Sequence, residues 1–175
     1  TWASQAYEVG STPITRSNMQ YAYYKYKSGY IRIGHFHDLI FSIKLTNEID
    51  SVNTHTKTAD TAFSQLKEYF SGKRQAFSLP IQIQGTPFQQ KVYTALMQVK
   101  YGETTTYKEL AAKVGSPKAY RAVGSACHNN PLWIVVPCHR VIGTDKKLVG
   151  YAGGLEMKSA LLTLEQTTFQ SKKNE

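Results

Sequence analysis

Alternating apolar and polar residues mark the first part of the chain as β structure. Three segments between residues 20 and 45 are rich in aromatic and β-branched residues. The Ser28-Gly29 and His37-Asp38 turn signals separate them, which predicts an antiparallel meander. Apolar residues then recur at helical spacing over residues 59–70, and Gly72 ends this predicted helix. The first half is therefore expected to be a small α/β unit.

The second half carries the signals of consecutive helices. Thr86 with Gln89, and Thr106 with Glu109, have the spacing of capping boxes, so each predicts a helix start. The helix after Thr106 is expected to end at Gly115, and another is expected from Lys118 to about His128. Two short helices joined through a glycine predict a helix-turn-helix, and a plain helical hairpin is the alternative.

The boundary between the two units is predicted near residue 84. Residues 73–84, which include Pro80, are interpreted as a linker with some extended structure. This gives an N-terminal α/β support domain, residues 1–84, and a mostly α C-terminal domain, residues 85–175. The sequence begins with Thr1, and residues 1–18 are interpreted as a candidate leader before a native start at Met19.

The candidate reactive side chains cluster in the segment Pro137-Cys138-His139-Arg140. The apolar run 133–136 predicts a short buried strand, which Pro137 ends because it has no N–H to donate. An imidazole and a guanidinium beside a cysteine favour the thiolate, which is the nucleophilic form. A lone buried cysteine is more commonly structural, so it is the cluster that indicates chemistry.

Charge and cysteine usage narrow the possible partners. The net charge is +9, with +3 in residues 1–84 and +6 in residues 85–175, which favours a polyanionic partner, nucleic acid first. Solubility alone is the alternative explanation. The two cysteines, Cys127 and Cys138, suit reduced thiols inside a cell better than a disulfide scaffold. No apolar run approaches the ~18 residues that span a membrane, and no signal-peptide pattern is seen.

The helix predicted over residues 118–128 is slim and basic. Lys118 and Arg121 supply the charge, and the small residues are Ala119, Ala122, Gly124, Ser125 and Ala126. A helix that reads bases in the major groove would show several Asn, Gln or Arg at contact positions. A slim helix without these residues suits the minor groove, which is only ~6 Å wide and carries little sequence information.

Three motifs in fixed order carry a resemblance to a known family. Asn130-Pro131, Pro137-Cys138-His139-Arg140 and the segment 150–155 resemble the methylated-DNA–protein-cysteine methyltransferases, or O6-alkylguanine-DNA alkyltransferases. The resemblance runs without gaps from Tyr93 to Glu165, while the N-terminal half matches only in general pattern. It implies a ribonuclease H-like N-terminal domain, with an antiparallel meander and a helix, and a C-terminal domain with a winged-helix-like helix-turn-helix.

The resemblance also implies an activity and its catalytic residues. O6-alkylguanine, with O4-alkylthymine as a second candidate, is flipped out of double-stranded DNA, and its alkyl group moves irreversibly to Cys138. His139 would act on Cys138 through a bridging water, Glu165 would orient His139, and Asn130 would steady the turn before the cysteine. Taken alone, Glu165 would more often be a solvated carboxylate at a helix end. No cofactor is needed, and each molecule is expected to react once.

Further roles follow from the same resemblance. Arg121 would enter the base stack in place of the flipped nucleotide, and Tyr107 would push on the adjacent phosphate. Phosphate contacts by position are Lys108, Ser116, Lys118 and Thr144. The expected walls of the guanine pocket are Tyr107, Trp133, Val141, Tyr151 and Ala152.

Three more expectations concern specificity, metal and location. The bulky Trp133 is expected to narrow the pocket against large alkyl groups such as benzyl, and Ala152 lacks a hydroxyl that some relatives carry. Three histidines, His35, His37 and His55, precede any cysteine, so no zinc site is predicted. A monomer is expected, in the cytoplasm, or in the nucleus of a eukaryote.

Two other functions compete with this interpretation. The first is a non-catalytic helix-turn-helix protein that binds DNA or lesions, but related proteins of that kind lack the cysteine. The second is a hydrolase that uses Cys138, His139 and Glu165 on an ester or amide. A hydrolase would release product and turn over, which separates it from a stoichiometric reaction.

Overall fold

The computed structural model describes residues 19–173, with the backbone alone at residues 171–173. The candidate leader, residues 1–18, lies outside the described residues. The strands and helices follow in this order: β1 (Gln20–Tyr26), β2 (Gly29–Phe36), β3 (Leu39–Thr46), α1 (Lys57–Phe70), α2 (Pro87–Met97), β4 (Thr105–Thr106), α3 (Tyr107–Lys113), α4 (Tyr120–His128), β5 (Val141–Ile142) and α5 (Leu155–Lys173).

The predicted meander is confirmed. The three strands pair antiparallel in the order β1-β2-β3, and tight turns at Lys27 and His37 join them with positive φ. α1 packs on one face of this sheet, where Ile31, Ile33 and Leu66 are fully buried. The sheet and its helix therefore form the α/β unit that the apolar pattern indicates.

The bounds of α1 follow from local chemistry. The Thr56 side chain caps the helix by accepting a hydrogen bond from the Ala59 N–H. The helix ends before Gly72, whose φ of +73° is a conformation that glycine adopts without strain. Gly72 thus ends this helix, as the sequence predicts.

The segment 73–84 packs against the sheet along much of its length. The Ile40 N–H donates to the Pro80 carbonyl at 2.8 Å, and the Gln82 N–H donates to the Ile40 carbonyl at 2.8 Å. Leu79 and Ile81 are buried. The linker interpretation is correct in its extended structure, but the segment forms a bridge along the free edge of β3.

The same edge of β3 holds the turn that precedes the reactive motif. The Ile43 N–H donates to the Pro131 carbonyl at 2.8 Å, and the Trp133 N–H donates to the Ile43 carbonyl at 3.1 Å. The sheet of the first half therefore fixes the backbone that leads to Cys138.

The helices of the second half begin largely where capping predicts. Both capping boxes are present at α2 and α3, and α3 and α4 form the helix-turn-helix. α4 starts at Tyr120 rather than Lys118, because a turn first closes from the Ala119 N–H to the Ser116 carbonyl at 2.8 Å. Beside it, β4 and β5 form a short parallel pair. α5 extends beyond Glu165, where the sequence places its end, to Lys173.

The prediction of a strand over residues 133–136 is wrong. The chain reverses there: the Val136 N–H donates to the Leu132 carbonyl at 2.9 Å, and Ile134 has a φ of +68°. Burial explains the error, because Leu132, Ile134 and Val136 are all buried in the turn, as they would be in a strand. Cys138 then opens a single 3₁₀ turn, Cys138–Arg140.

None of the helices within residues 19–173 combines the length and the apolar character that crossing a membrane requires.

Candidate active site

Cys138 is buried at the start of the 3₁₀ turn, and Asn130 holds it there. The Asn130 Nδ2 donates to the Val136 carbonyl at 2.8 Å and to the Cys138 Sγ at 3.2 Å. The Asn130 Oδ1 accepts from the Leu132 N–H at 3.0 Å. Asn130 therefore ties both ends of the reversed turn together and directs one donor at the sulfur, where a negative charge would develop.

The charge state of Cys138 differs from the one that its sequence neighbours suggest. Burial raises the pKa of the Cys138 thiol, while the Asn130 hydrogen bond and the Lys158 ammonium group act to lower it. The expectation that His139 and Arg140 stabilise the thiolate is wrong, because both side chains face Glu165 instead. The resting group is thus a thiol that must lose its proton before it reacts.

His139 forms a buried pair with Glu165. Its Nε2 lies 2.8 Å from the Glu165 Oε1, and both side chains are fully buried. A carboxylate only accepts, so the imidazole proton belongs on Nε2 and the lone pair on Nδ1. Burial lowers the pKa of His139 although Glu165 opposes this, so the ring is neutral. Nδ1 is buried and has no hydrogen-bond partner within residues 19–170, which leaves it available to take a proton.

Glu165 is the centre of a buried hydrogen-bond network. Arg140 donates to it from Nη2 at 2.8 Å and from Nε at 2.9 Å, and the Gly102 N–H donates at 3.1 Å. Burial raises the pKa of Glu165, but the hydrogen bonds from His139 and Arg140 outweigh it and bring the pKa to about 2. Arg140 also donates to the Val99 carbonyl at 2.6 Å, so it braces the fold.

Lys158 is a site residue that the sequence analysis missed. It is fully buried, and its Nζ donates to the Val149 carbonyl at 2.8 Å. Burial lowers the pKa of Lys158, while Cys138 and Cys127 act in the opposite direction. The sequence does contain a signal for this residue. Lys158 precedes the buried Leu161 by three residues and the buried Leu162 by four, so helical spacing places it on the apolar face of α5.

A cavity of about 430 Å³ opens over Cys138. Tyr107 lies at the start of α3, and its hydroxyl donates to the Val149 carbonyl at 3.1 Å, which links the helix-turn-helix to the loop before α5. The residues that line the cavity are Tyr107, Tyr120, Arg121, Gly124, Cys127, His128, Cys138, Val149, Gly150 and Tyr151. The thiol is thus accessible from the surface that carries α4.

Three of the predicted pocket walls do not line this cavity. Val141 is fully buried in β5, and Ala152 is exposed in the loop before α5. The Trp133 indole packs on Phe70, with 5.9 Å between ring centroids. It also adjoins Tyr151 and acts to lower the pKa of that tyrosine, against the effect of burial. The expectation that Trp133 directly narrows the pocket is corrected accordingly: the reversed turn points the indole into the core between the two halves of the chain.

Most of the predicted DNA contacts belong to the helix-turn-helix, and Thr144 follows β5. Arg121 is exposed at the rim of the cavity, and Ser116 is half-buried in the turn before α4. The other predicted phosphate contacts are exposed: Lys108, Lys118 and Thr144. Tyr120 is also exposed and lines the cavity, so α4 is less slim at its start than its composition suggests.

The histidines of the first half have protein partners. His35 is fully buried, and its Nε2 lies 2.9 Å from the Thr54 carbonyl oxygen. His55 pairs with Asp60 at 3.0 Å. Within residues 19–173, no three His, Cys, Asp or Glu side chains are grouped so that they could hold a metal ion.

The fold and the site together define a class of protein in which a cysteine nucleophile lies beside a basic helix-turn-helix. Residues 19–83 match the family described as 6-O-methylguanine DNA methyltransferase, ribonuclease-like domain, and residues 87–167 match its DNA binding domain. The chain therefore belongs to the methylated-DNA–protein-cysteine methyltransferase family.

Individual relatives agree with this assignment. The Methanosarcina barkeri methylated-DNA–protein-cysteine methyltransferase is 53% identical over 109 residues, which are 62% of this chain and 69% of that protein. The constitutive Bacillus subtilis enzyme is 52% identical over 121 residues, 67% of this chain and 73% of that protein. The crystal structure of Mycobacterium tuberculosis OGT in complex with DNA superposes with a TM-score of 0.78 at 36% identity, covering 85% of this chain and 94% of that one.

Proposed function

We propose that this protein repairs double-stranded DNA by moving the alkyl group of O6-alkylguanine irreversibly onto Cys138. The observation that carries the proposal is the position of the Cys138 Sγ. Cys138 lines a cavity bordered by α4, and the next residue in the chain, His139, pairs with the buried Glu165. A base inside a duplex must be flipped out before it can enter such a cavity.

The reaction is an in-line displacement at the alkyl carbon. Cys138 transfers its thiol proton to the lone pair on His139 Nδ1 through a bridging water, which the family resemblance implies. The thiolate electron pair forms the S–C bond, the C–O6 bond breaks, and its electron pair stays with guanine. The thiol proton finally resides on guanine, so the products are a thioether and an intact base. No electron acceptor or cofactor enters this balance.

The network around Cys138 supports this sequence of steps. Asn130 donates to the sulfur and Lys158 supplies a nearby positive charge, so both stabilise the thiolate as it forms. Glu165 stabilises the imidazolium that results when His139 takes the proton. Nothing in the chemistry returns a thioether to a thiol, so each molecule acts once.

The helix-turn-helix is assigned to DNA docking. Arg121 occupies the gap in the base stack, and Tyr107 and Tyr151 wall the flipped base, because all three border the cavity. Lys108, Ser116, Lys118 and Thr144 contact phosphates, and O4-alkylthymine is a second substrate. The protein acts as a monomer in the compartment that holds the DNA, the cytoplasm or a nucleus.

Mass spectrometry tests the proposal. After incubation with a duplex that contains O6-methylguanine, the protein is expected to gain one methyl group, which peptide mapping places on Cys138. Cys138→Ser is expected to bind the duplex and gain none. A wild-type protein that binds the lesion without gaining mass would support the non-catalytic alternative, and repeated turnover on an ester would support the hydrolase.

A further inference from the structure

We infer that Tyr69, in α1 of the N-terminal half, is a positioning residue for the His139–Glu165 pair. Its hydroxyl donates to the Glu165 Oε1 at 2.6 Å and lies 3.3 Å from the His139 Nε2. All three side chains are fully buried. The inference rests on the proposed alkyl transfer, and it gives the N-terminal half a role in the reaction.

The hydroxyl of Tyr69 can act only as a donor to the carboxylate. Burial raises the pKa of Tyr69, and the negative charge of Glu165 raises it further, so the phenol keeps its proton. Oε1 is the same oxygen that accepts from His139 Nε2. Tyr69 therefore fixes the position of the oxygen that orients the imidazole, and it withdraws part of that oxygen's negative charge.

The packing around Tyr69 suits a fixed geometry. Its ring packs against Phe77, with 5.4 Å between ring centroids, and against Tyr101, with 6.0 Å. Because these rings restrict the tyrosine side chain, the hydroxyl stays directed at Oε1. Loss of the hydroxyl alone would leave this ring packing intact, so Tyr69→Phe isolates the hydrogen bond.

The effect of Tyr69→Phe on His139 acts mainly through Glu165, because Nε2 is 2.8 Å from the charged Oε1 and 3.3 Å from the neutral Tyr69 hydroxyl. A carboxylate that loses a donor holds more negative charge and stabilises the imidazolium more strongly. Tyr69→Phe is therefore expected to raise the pKa of His139 and to let Oε1 move. The ionisable groups that act on the imidazole are Glu165, Arg140 and Lys158, and the same substitution leaves all of them in place.

Tyr24→Phe is a matched control. The Tyr24 hydroxyl also donates to a carboxylate at 2.6 Å, that of Asp60, and Tyr24 is a buried residue of the same half of the chain. Asp60 lies in the first turn of α1, away from the His139–Glu165 pair. Both variants lose one phenol-to-carboxylate hydrogen bond, but only Tyr69→Phe loses it at the site.

The experiment measures single-turnover alkyl transfer from methylated duplex DNA between pH 5 and pH 9. Tyr69→Phe is expected to slow transfer about tenfold, because a hydrogen bond to a charged group is lost. The acid limb of its pH profile is expected to move to higher pH by about half a unit to one unit. Tyr24→Phe should keep the wild-type rate and profile at the same folded fraction. Equal rates and equal profiles for the two variants would overturn the inference.

A second variant covers the case in which Tyr69→Phe does not fold. Site-specific 3-fluorotyrosine at position 69 keeps the ring and the hydroxyl but makes the phenol a stronger donor. The acid limb is then expected to move to lower pH, and an unchanged limb would contradict the inference. A wild-type protein without any transfer would instead refute the proposed function, so the two failures are distinct.

Discussion

Glu165→Gln tests the buried network most directly. The substitution keeps the size of the side chain but removes the negative charge that His139 and Arg140 share. The Arg140 guanidinium is buried beside it and would lose its counter-charge. Removing one member of a buried ion pair is costly because the other charge remains without compensation.

The size of the effect can be derived from the pKa of Glu165. The pKa falls from 4.5 to about 2 on folding. Since each unit corresponds to about 1.4 kcal/mol, the ionised carboxylate stabilises the fold by about 3 kcal/mol. For a chain of 175 residues, we expect Glu165→Gln to lower the melting temperature by about 6–12 °C near neutral pH.

The stability cost of Glu165→Gln should depend on pH. A carboxyl group with a depressed pKa contributes its full stabilisation above its unfolded value of 4.5 and loses it as the pH falls toward about 2. The difference in the free energy of unfolding between wild type and Glu165→Gln should be constant above about pH 5 and shrink below pH 4.5. Thermal unfolding at closely spaced pH values measures it.

Glu48→Gln provides the control, because Glu48 is an exposed carboxylate in a loop. It is expected to change the free energy of unfolding by no more than about 0.5 kcal/mol. If Glu165→Gln costs as little as Glu48→Gln, or if its cost does not depend on pH between 2 and 5, Glu165 is not the charged centre of the network.

Three further predictions concern the surroundings of Cys138. Lys158→Met should raise the pKa of Cys138 further, so the pH profile of its alkylation by iodoacetamide should shift to higher pH; an unshifted profile would exclude Lys158 as a charge acting on the thiol. Asn130→Ala removes the hydrogen bonds that Asn130 makes to the Val136 carbonyl, the Cys138 Sγ and the Leu132 N–H, so it should cost about 1–3 kcal/mol in denaturant unfolding and slow alkyl transfer. Trp133→Phe should leave the ratio of methyl to benzyl transfer rates unchanged, because the indole lies outside the cavity; a residue that lines it would change the ratio about tenfold or more.

Local chemistry could be predicted well from the sequence. Capping boxes at Thr86 and Thr106 and the glycine at 72 act within a few residues, so the helix ends they set could be predicted from sequence alone. The apolar run 133–136 could not be assigned, because three buried residues and the partly buried Val135 fit a strand or a tight turn equally well, and pairing with β3 decides between them.

The residues of the site could be predicted only where they are neighbours in the sequence or belong to a recognisable motif. His139 adjoins Cys138, but Tyr69 reaches Glu165 across 96 positions and Lys158 reaches the loop from an apolar helix face. The direction of the side chains was also beyond the sequence. Adjacency suggested that His139 and Arg140 act on the thiol, whereas the 3₁₀ turn points both at Glu165.

Burial of the thiol suits a protein that can react only once. In the resting state, burial raises the pKa of Cys138, so little thiolate is present to react with stray electrophiles or oxidants. The groups that favour the thiolate, Asn130 and Lys158, and the proposed base, His139, are already in place. A flipped base that fills the cavity would bring the alkyl carbon to the sulfur within this arrangement. Reactivity would then depend on the arrival of the lesion, which is what a stoichiometric acceptor requires.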